Sequence, residues 1–302
     1  MLAKLRERVN KAWTNPALAW ALLQTRFRIG LAGDREAADP THRSISDDGR
    51  YAVFCDRAAR SPRFFRSFRR HPDYVPILEH VTRELGQAYL EVLRRWAPHV
   101  VERIEDFKVN DLVGEPITHA YEGIGRINPT TLRYLKVASD LQACFDWTDT
   151  TAVAEIGVGY GGQLLCADRL LPFGSWTMFD IPPVLRLASR YLERHLLRGS
   201  YRATTLNQSP RATFDLVVSN YAFSELPAVV QLAYIGKIVR RSAAGYLTMN
   251  SGREGTPFRS GHISVEDLKR HIPQCTIIDE YPLSCSGCYI VLWGNKAEPN
   301  WV

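Results

Sequence analysis

The feature that most constrains the fold is an alternation of short apolar runs and helix-like segments that begins near residue 150. Such alternation is typical of strands joined by crossover helices in a largely parallel sheet. The last two runs are separated only by residues 282–287, which is too short for a parallel crossover, so these two must pair antiparallel. The sequence therefore predicts an α/β fold with a seven-stranded, mostly parallel sheet ending in an antiparallel hairpin, its strands at residues 151–158, 175–181, 201–206, 214–220, 243–250, 275–281 and 288–295.

The residues before this sheet follow a helical pattern. Residues 76–96 carry apolar side chains at spacings of three and four, which predicts a helix. Residues 32–51 are rich in Asp, Gly, Pro and Ser, which predicts a loop between helices. We therefore predict a helical N-terminal region over residues 1–105 and a second domain over residues 106–302.

The composition is that of an ordinary globular protein. With 302 residues and 45% hydrophobic content, the chain can bury a sizeable core. No apolar run approaches the roughly 18 to 20 residues that span a bilayer, so no membrane span and no membrane partner are expected. The basic start and the apolar stretch up to residue 23 faintly resemble a secretion signal without its cleavage site, and we interpret them as an amphipathic helix.

The cysteines do not indicate a disulfide framework. Six are scattered over the chain, which favours a reducing cytoplasm as the location. Cys285 and Cys288 have the spacing of a redox motif or of half a zinc site. Because no second pair follows and Gly287 supplies a permissive backbone, we interpret this stretch as the turn between the last two strands.

Part of the net charge of +6 lies in a run of arginines that could meet the phosphates of an anionic substrate or a nucleic acid. Phenylalanines alternate with these arginines at helical spacing, which is more typical of a helix with one packed and one solvated face. The pattern therefore favours a solvated arginine face, formed by Arg57, Arg60, Arg63, Arg66, Arg69 and Arg70.

A glycine-rich turn follows the first predicted strand. Residues 154–163 have the sequence AEIGVGYGGQ, and a helix is predicted over residues 163–171. Glycines between a strand end and a helix let a nucleotide cofactor approach bare backbone. Because Gly157, Gly159 and Gly162 also match the dinucleotide spacing, the glycines alone do not identify the cofactor.

Two carboxylates bear on which cofactor is bound. Glu155 lies two residues before the first glycine, where its charge can pair with the ammonium and sulfonium of S-adenosylmethionine; in a dinucleotide site it would face a pyrophosphate, and like charges repel. Asp180 closes the next strand about twenty residues beyond the turn, where an acid accepts hydrogen bonds from ribose hydroxyls. Since both cofactors carry ribose, Asp180 supports a nucleotide, and Glu155 favours S-adenosylmethionine.

With these elements in place, the chain resembles the class I S-adenosylmethionine-dependent methyltransferases, and within them the sugar O-methyltransferase family. The seven-stranded sheet with its terminal hairpin is the layout of that class, whereas a nicotinamide Rossmann domain usually continues in βαβ units. The resemblance covers most of residues 110–250, in blocks at residues 110–114, 128–136, 155–163, 179–182, 219–225 and 246–250.

The resemblance implies cofactor contacts at matching positions. These are Gly157, Gly159 and Gly161 around the methionine part, Asp180 at the ribose, Asn207 and Gln208 at the adenine, and Asn220 at the end of the fourth strand. The helix predicted over residues 130–140 offers Thr131, Arg133 and Lys136 to the cofactor carboxylate. Arg133 is the strongest of these, because a guanidinium can grip a carboxylate with two hydrogen bonds. A solvated helix face is the alternative.

Methyl transfer to a hydroxyl benefits from a base that removes the proton as the new bond forms. His262 is the first candidate, because histidine needs the smallest pKa shift to serve, and Glu225 is the second. His119 and Asp111 lie in a segment expected to fold over the active site. Some sugar methyltransferases use a divalent metal to acidify the hydroxyl, but no spaced cluster of acidic residues indicates one here.

The expected partner is a small-molecule acceptor, a sugar in the first instance, and the sequence is compatible with a homo-oligomer. A nucleic-acid methyltransferase is an alternative suggested by the basic charge. No nucleic acid is expected as partner, because residues 219–222 lack the proline-aromatic element of enzymes that methylate base amino groups and no separate RNA-binding module is visible. A nicotinamide oxidoreductase and a noncatalytic binding protein are alternatives from other classes.

Overall fold

The computed structural model describes residues 49–209, 212–257 and 261–302. These residues form a two-stranded hairpin and a seven-stranded sheet. The strands are β1 (His119–Tyr121), β2 (Gly125–Ile127), β3 (Ala152–Ile156), β4 (Ser175–Phe179), β5 (Ser200–Thr204), β6 (Phe214–Asn220), β7 (Ser242–Met249), β8 (Thr276–Asp279) and β9 (Tyr289–Trp293). Strands β3 to β9 confirm the seven predicted strands.

The large sheet has the order β5-β4-β3-β6-β7-β9-β8. Strands β3 to β7 pair in parallel, while β9 pairs antiparallel with both β7 and β8. The fold class is therefore the predicted one, a Rossmann-like α/β sheet that ends in an antiparallel hairpin. The carboxyl ends of β3, β4, β5 and β6 meet at one edge of this sheet, which is where ligands of open α/β sheets bind.

The helices cover both faces of the sheet. They are α1 (Arg50–Arg60), α2 (Pro62–Arg66), α3 (Val75–Leu78), α4 (Arg83–Trp96), α5 (Pro98–Glu102), α6 (Ile104–Phe107), α7 (Pro129–Cys144), α8 (Gly162–Leu170), α9 (Pro182–Leu192), α10 (Ala222–Glu225), α11 (Ala228–Lys237) and α12 (Val265–His271). Successive strand residues point to opposite faces. Val153 thus joins a core with α7, α8 and α9, while Ala154 joins a second core with α11 and α12.

The N-terminal helices pack on the first of these cores. Phe54 of α1 and Leu90 of α4 belong to the same buried cluster as Val153 and Trp176 of the sheet. This apolar packing extends across residue 105, where the boundary between the two domains was predicted. The two-domain division of the chain stays a prediction.

The helix predicted over residues 76–96 is interrupted between α3 and α4. The carboxylate of Glu79 turns inward to the buried guanidinium of Arg69, with 2.5 Å between Oε1 and Nε. The hydroxyl of Thr82 then accepts a hydrogen bond of 3.1 Å from the backbone N–H of Leu85 and begins α4. The prediction of one helix was wrong here, because a distant ion pair and a cap outweigh local periodicity.

The arginine run is solvated except at one position. Arg57, Arg63 and Arg66 are exposed, as predicted, and Phe65 and Phe68 pack inward. Arg69, by contrast, is 0% exposed and was wrongly assigned to the solvated face. Its ion pair with Glu79 and its hydrogen bonds explain how a charge can be buried there.

The turn between β8 and β9 lies where it was predicted, and the sulfur atoms of Cys285 and Cys288 are bonded to each other within it. Across the ranges that the structure covers, no helix is long and apolar enough to cross a bilayer. The helix predicted in the first 23 residues and most of the loop predicted over residues 32–51 lie outside the described residues.

Candidate functional site

A cavity of about 510 Å³ opens at the carboxyl edge of the sheet. Its floor is made by the turn after β3 and by the ends of β4, β5 and β6, and helices α3, α4 and α11 form its sides. This is the place where the fold class binds ligands. The polar or backbone-exposing residues on its wall include Tyr51, His80, Thr82, Arg133, Gly157, Gly159, Asp180, Thr205, Asn207, Asn220, Tyr221, Glu225, Tyr234, Asn250, Ser284 and Cys285.

The glycine-rich turn presents backbone to this cavity. Gly157 and Gly159 lie on the wall with φ angles of +78° and +55°, a region that side chains other than glycine rarely adopt. A Cβ on Gly157 would also collide with Ala222 at the start of α10. Gly161 lies beneath the turn against Leu192 and not on the wall, so the structure brings two of the three predicted glycines to the cavity.

Asp180 follows β4 and also reaches the cavity wall. Its Oδ2 accepts a hydrogen bond of 2.9 Å from the backbone N–H of Val158, and its Oδ1 accepts one of 2.7 Å from Ile181. The carboxylate thus joins the glycine turn to the next strand end. These two hydrogen bonds fix the orientation of the carboxylate.

Glu155 lies inside the sheet and is not on the cavity wall. Its carboxyl is 2% exposed and accepts a hydrogen bond of 2.8 Å from the indole N–H of Trp176. Burial raises the pKa of Glu155 to about 8, against the lowering effect of that hydrogen bond. A carboxyl in this position does not meet a cofactor cation directly, so the ion pair predicted for Glu155 is not built by this geometry.

Arg133 lies on α7 and points into the cavity. The side-chain oxygen of Asn128 begins this helix by accepting from the backbone N–H of Thr130 and Thr131. Arg133 is only 5% exposed, and no carboxylate of the described residues lies within ion-pair distance of it. Its Nε has no hydrogen-bond partner in that part of the chain. A buried, unpaired guanidinium on a cavity wall is a ready site for an anion.

The other two polar residues proposed on the same helix face serve the fold. The hydroxyl of Thr131 donates a hydrogen bond of 2.6 Å to Asp111, and Lys136 forms a buried ion pair of 2.7 Å with Asp140. Neither residue is on the cavity wall. Asp111 and His119, which were expected near the active site, are also absent from that wall. The carboxylate of Asp111 instead accepts a hydrogen bond of 2.7 Å from the backbone N–H of Asn128.

Asn220 ends β6 and faces the cavity, as expected. Its amide nitrogen donates a hydrogen bond of 3.1 Å to Gln163, while its Oδ1 is buried without a partner among the described residues. Asn207 lies on the wall, whereas Gln208 is exposed on a neighbouring groove between α1 and α9. Of the predicted adenine contacts, the structure therefore brings Asn207 to the cavity and not Gln208.

The two predicted bases occupy different positions. Glu225 is on the wall, and its Oε1 accepts a hydrogen bond of 2.8 Å from the side-chain amide of Asn250. His262 is not on the wall; its Nδ1 lies 3.0 Å from the carbonyl oxygen of Leu226, and burial lowers its pKa. The order of preference for the base is thereby reversed, because Glu225 alone reaches the cavity.

Sequence analysis missed several polar residues of the wall. His80 and Thr82 reach it from the break between α3 and α4, and burial together with the nearby Arg133 lowers the pKa of His80. Tyr221 and Ser284 reach it from the residue after β6 and from the turn before β9. A local signal existed for Tyr221, which directly follows a strand end, but none existed for Ser284.

No group of three or more His, Cys, Asp or Glu side chains within residues 49–209, 212–257 and 261–302 is placed to hold a metal ion.

Comparison with known proteins gives a distant likeness only. No family model and no curated protein matches the sequence. The structure is similar to the pyocyanin biosynthetic protein PhzM, at 12% identity and a TM-score of 0.42, over 68% of this chain and 61% of that one. It is also similar to the N-terminal domain of EvdMO1 with SAH bound, at 15% identity and a TM-score of 0.39, over 65% of this chain and 94% of that one. A third similar structure is an S-adenosylmethionine-dependent methyltransferase from Clostridium acetobutylicum, at 12% identity and a TM-score of 0.36, over 46% of this chain and 82% of that one.

Proposed function

We propose that this protein is an S-adenosylmethionine-dependent O-methyltransferase that acts on a hydroxyl of a sugar or glycoside-like small molecule. The observation that carries the proposal is the composition of one cavity wall. A glycine turn, a strand-end carboxylate at Asp180 and a buried guanidinium at Arg133 border the same cavity. They are the three kinds of group that a nucleoside joined to an amino acid requires.

The residues fit this cofactor along its length. Gly157 and Gly159 border the cavity with bare backbone, which the chain that joins sulfur to ribose can approach closely. Asp180 is a carboxylate that can accept hydrogen bonds from the ribose hydroxyls, and Asn207 borders the same cavity for the adenine. Arg133 has an unpartnered Nε with which it can bind the carboxylate of the methionine part. Bound there, S-adenosylmethionine supplies a methyl group on a positively charged sulfur.

Glu225 is the residue that we propose accepts the hydroxyl proton. Its carboxylate is held by the amide of Asn250, which is itself 2% exposed and accepts a hydrogen bond of 2.6 Å from the hydroxyl of Ser224. This chain of hydrogen bonds orients the carboxylate before an acceptor arrives. A positioned base contributes about 10²- to 10⁴-fold to a rate. Positioning the hydroxyl in line with the methyl group at about 3 to 3.5 Å supplies a further large part.

The walls also suit the proposed acceptor. Thr82, Glu225 and Ser284 bring polar groups to the wall, and Ile77 and Leu85 bring apolar side chains. A sugar ring presents hydroxyls at its edge and C–H groups on its faces, and a pocket of this mixed character can orient both. A few placed polar groups within an otherwise apolar pocket are the usual basis of orientation and specificity.

The test uses the purified protein in two measurements. Calorimetry should detect S-adenosylhomocysteine and should give no heat with NAD; binding of NAD without S-adenosylhomocysteine would overturn the cofactor assignment. Methyl-labelled S-adenosylmethionine should then transfer label to a hydroxyl of free sugars or glycosides. Transfer to RNA with none to any sugar would replace the acceptor class and keep the cofactor.

A further inference from the structure

One pair of cysteines lies at the cavity and has no part in the proposed function. The sulfur atoms of Cys285 and Cys288 are joined, and their Cα atoms lie 5.6 Å apart, within the range of about 4.4 to 6.8 Å that a disulfide spans. Cys285 is half-buried and borders the cavity, whereas Cys288 is fully buried just before β9. Of the two, Cys285 is therefore the one open to attack by a small thiol.

The pair lies in a turn that is anchored on the side next to β9. The backbone N–H of Glu280 donates a hydrogen bond of 3.1 Å to the carbonyl of Cys288, whose own N–H donates one of 3.3 Å to Cys285. The carbonyl of Gly287 accepts one of 2.9 Å from Arg253. The cysteines are only three positions apart, and a disulfide that closes so short a ring contributes little to the stability of the whole chain. Breaking it should therefore act locally.

The residue before Cys285 connects this turn to a second part of the wall. Ser284 borders the cavity, and its backbone N–H and hydroxyl donate to Oε2 of Glu280 at 3.1 and 2.6 Å. The phenol of Tyr221 donates to the other oxygen of Glu280 and lies 2.8 Å from the Ser284 hydroxyl. Tyr221 also borders the cavity, and its backbone N–H donates a hydrogen bond of 2.9 Å to Thr248 on β7. The sulfur bond thus restrains Ser284 through its neighbour, and Ser284 with Glu280 restrains the phenol.

We propose that the bond between Cys285 and Cys288 is a thiol–disulfide exchange site, which a dithiol reduces and which holds this part of the cavity wall in place while it is oxidised. Reduction removes the restraint on Ser284, so that its hydrogen bonds to Glu280 and the contacts of Tyr221 open more often. The inference goes beyond the proposed function. It assigns a modification site to the cavity wall and does not depend on which cofactor or acceptor binds there.

The exchange consists of two successive displacements at sulfur. A thiolate of the dithiol attacks Sγ of Cys285, the sulfur–sulfur bond breaks, and Cys288 leaves as a thiolate that takes up a proton. The second thiolate of the reductant then attacks the reductant's own sulfur in the mixed disulfide and releases Cys285, which is protonated in turn. Two electrons and two protons reach the protein, and the dithiol becomes a disulfide. A disulfide oxidant reverses both steps.

The test follows the thiols and the wall separately, on the purified protein. After incubation with oxidised glutathione, iodoacetamide in urea should modify neither Cys285 nor Cys288; after dithiothreitol it should modify both, as read by mass spectrometry. Amide hydrogen exchange should then become roughly threefold to tenfold faster in the peptides that contain Ser284 and Tyr221, as expected for loss of the stabilisation of about one hydrogen bond. Exchange in β4, which lies two strands from β6, should not change.

Two variants separate the pair from other effects of the reductant. Cys285→Ser removes the accessible sulfur and should show the faster exchange at Ser284 and Tyr221 with either oxidised glutathione or dithiothreitol. The matched control is Cys275→Ser, because Cys275 is a free, half-buried cysteine. This variant should keep the full response to dithiothreitol.

Three results would overturn the inference. Modification of Cys285 and Cys288 by iodoacetamide in the oxidised protein would show that the two sulfurs form no bond. Reduction without a change of exchange at Ser284 and Tyr221 would show that the bond does not hold the wall. Faster exchange throughout the sheet, β4 included, would show that the bond supports the whole fold and is not a local device of the cavity.

Discussion

The indole N–H of Trp176 on β4 donates a hydrogen bond of 2.8 Å to the carboxyl of Glu155 on β3, inside the sheet and directly below the glycine turn. Neither side chain borders the cavity. The pairing places a carboxyl where water does not reach it, and burial raises the pKa of Glu155 from its ordinary 4.5 to about 8. This acid is therefore a source of pH dependence in stability.

The first prediction is that Glu155 makes the protein less stable as the pH rises. The folded state holds the proton more tightly than the unfolded state, so this contribution is complete below about pH 4.5 and is lost as the pH rises through about 8. Glu155→Gln should flatten the dependence across that window. Urea unfolding at several pH values measures the effect, and Glu102→Gln at an exposed position serves as the control. A parallel pH profile for Glu155→Gln and the unaltered protein would contradict the prediction.

The second prediction concerns Asp180. In the proposed cofactor site, replacing it by Asn removes the charge that would strengthen hydrogen bonds to the ribose, each worth about 1.5 to 3 kcal/mol. The affinity for S-adenosylhomocysteine should fall at least about tenfold in calorimetry. Asp215→Asn is the matched control, because Asp215 also accepts a backbone N–H, from Ala152 at 2.7 Å, and does not border the cavity. Equal effects of the two replacements would mean that Asp180 has no direct part in binding.

The third prediction separates the two candidate bases. Glu225→Gln should lower turnover by about 10² to 10⁴ while cofactor binding persists, because proton transfer matters only in the transition state. His262→Gln should retain most of the turnover, since this ring contacts the carbonyl of Leu226 and does not border the cavity. Turnover is measured with a saturating sugar acceptor in the presence of a chelator. A large loss in His262→Gln alone would restore the histidine as the base.

The fourth prediction concerns stability. Arg69→Met leaves the buried carboxylate of Glu79 without its cation, and breaking a buried pair from one side costs about 3 to 5 kcal/mol. The free energy of unfolding in urea should fall by that amount. Arg60→Met, which breaks a surface pair with Asp56, should cost about 0 to 1 kcal/mol. If the free energy of unfolding falls equally in the two variants, the buried Arg69–Glu79 pair stabilises the fold no more than the surface pair does.

The sheet was predictable because its strands have a local signature. A parallel strand is buried on both faces and so appears as a continuous apolar run; residues 214–220 were predicted as a strand and form β6 (Phe214–Asn220). The short link before β9 required an antiparallel pair on chain geometry alone. Gly157, Gly159 and Asp180 reach the cavity for the same reason, since a residue that ends a parallel strand lies at the carboxyl edge wherever the strand is placed.

Tertiary structure alone decided which side chains of the remaining candidates face the cavity. Neither Glu155 nor His262 borders the cavity. Glu155 is hydrogen-bonded to Trp176 on the neighbouring strand, and the ring of His262 lies against the carbonyl of Leu226. His80 lines the cavity because the chain breaks its helix at Glu79, whose partners Arg69 and Asn128 are 10 and 49 residues away. Local periodicity does not indicate such contacts between distant residues. The sequence by itself determined the sheet and its binding edge, and long-range contacts between buried polar groups determined which residues form the walls.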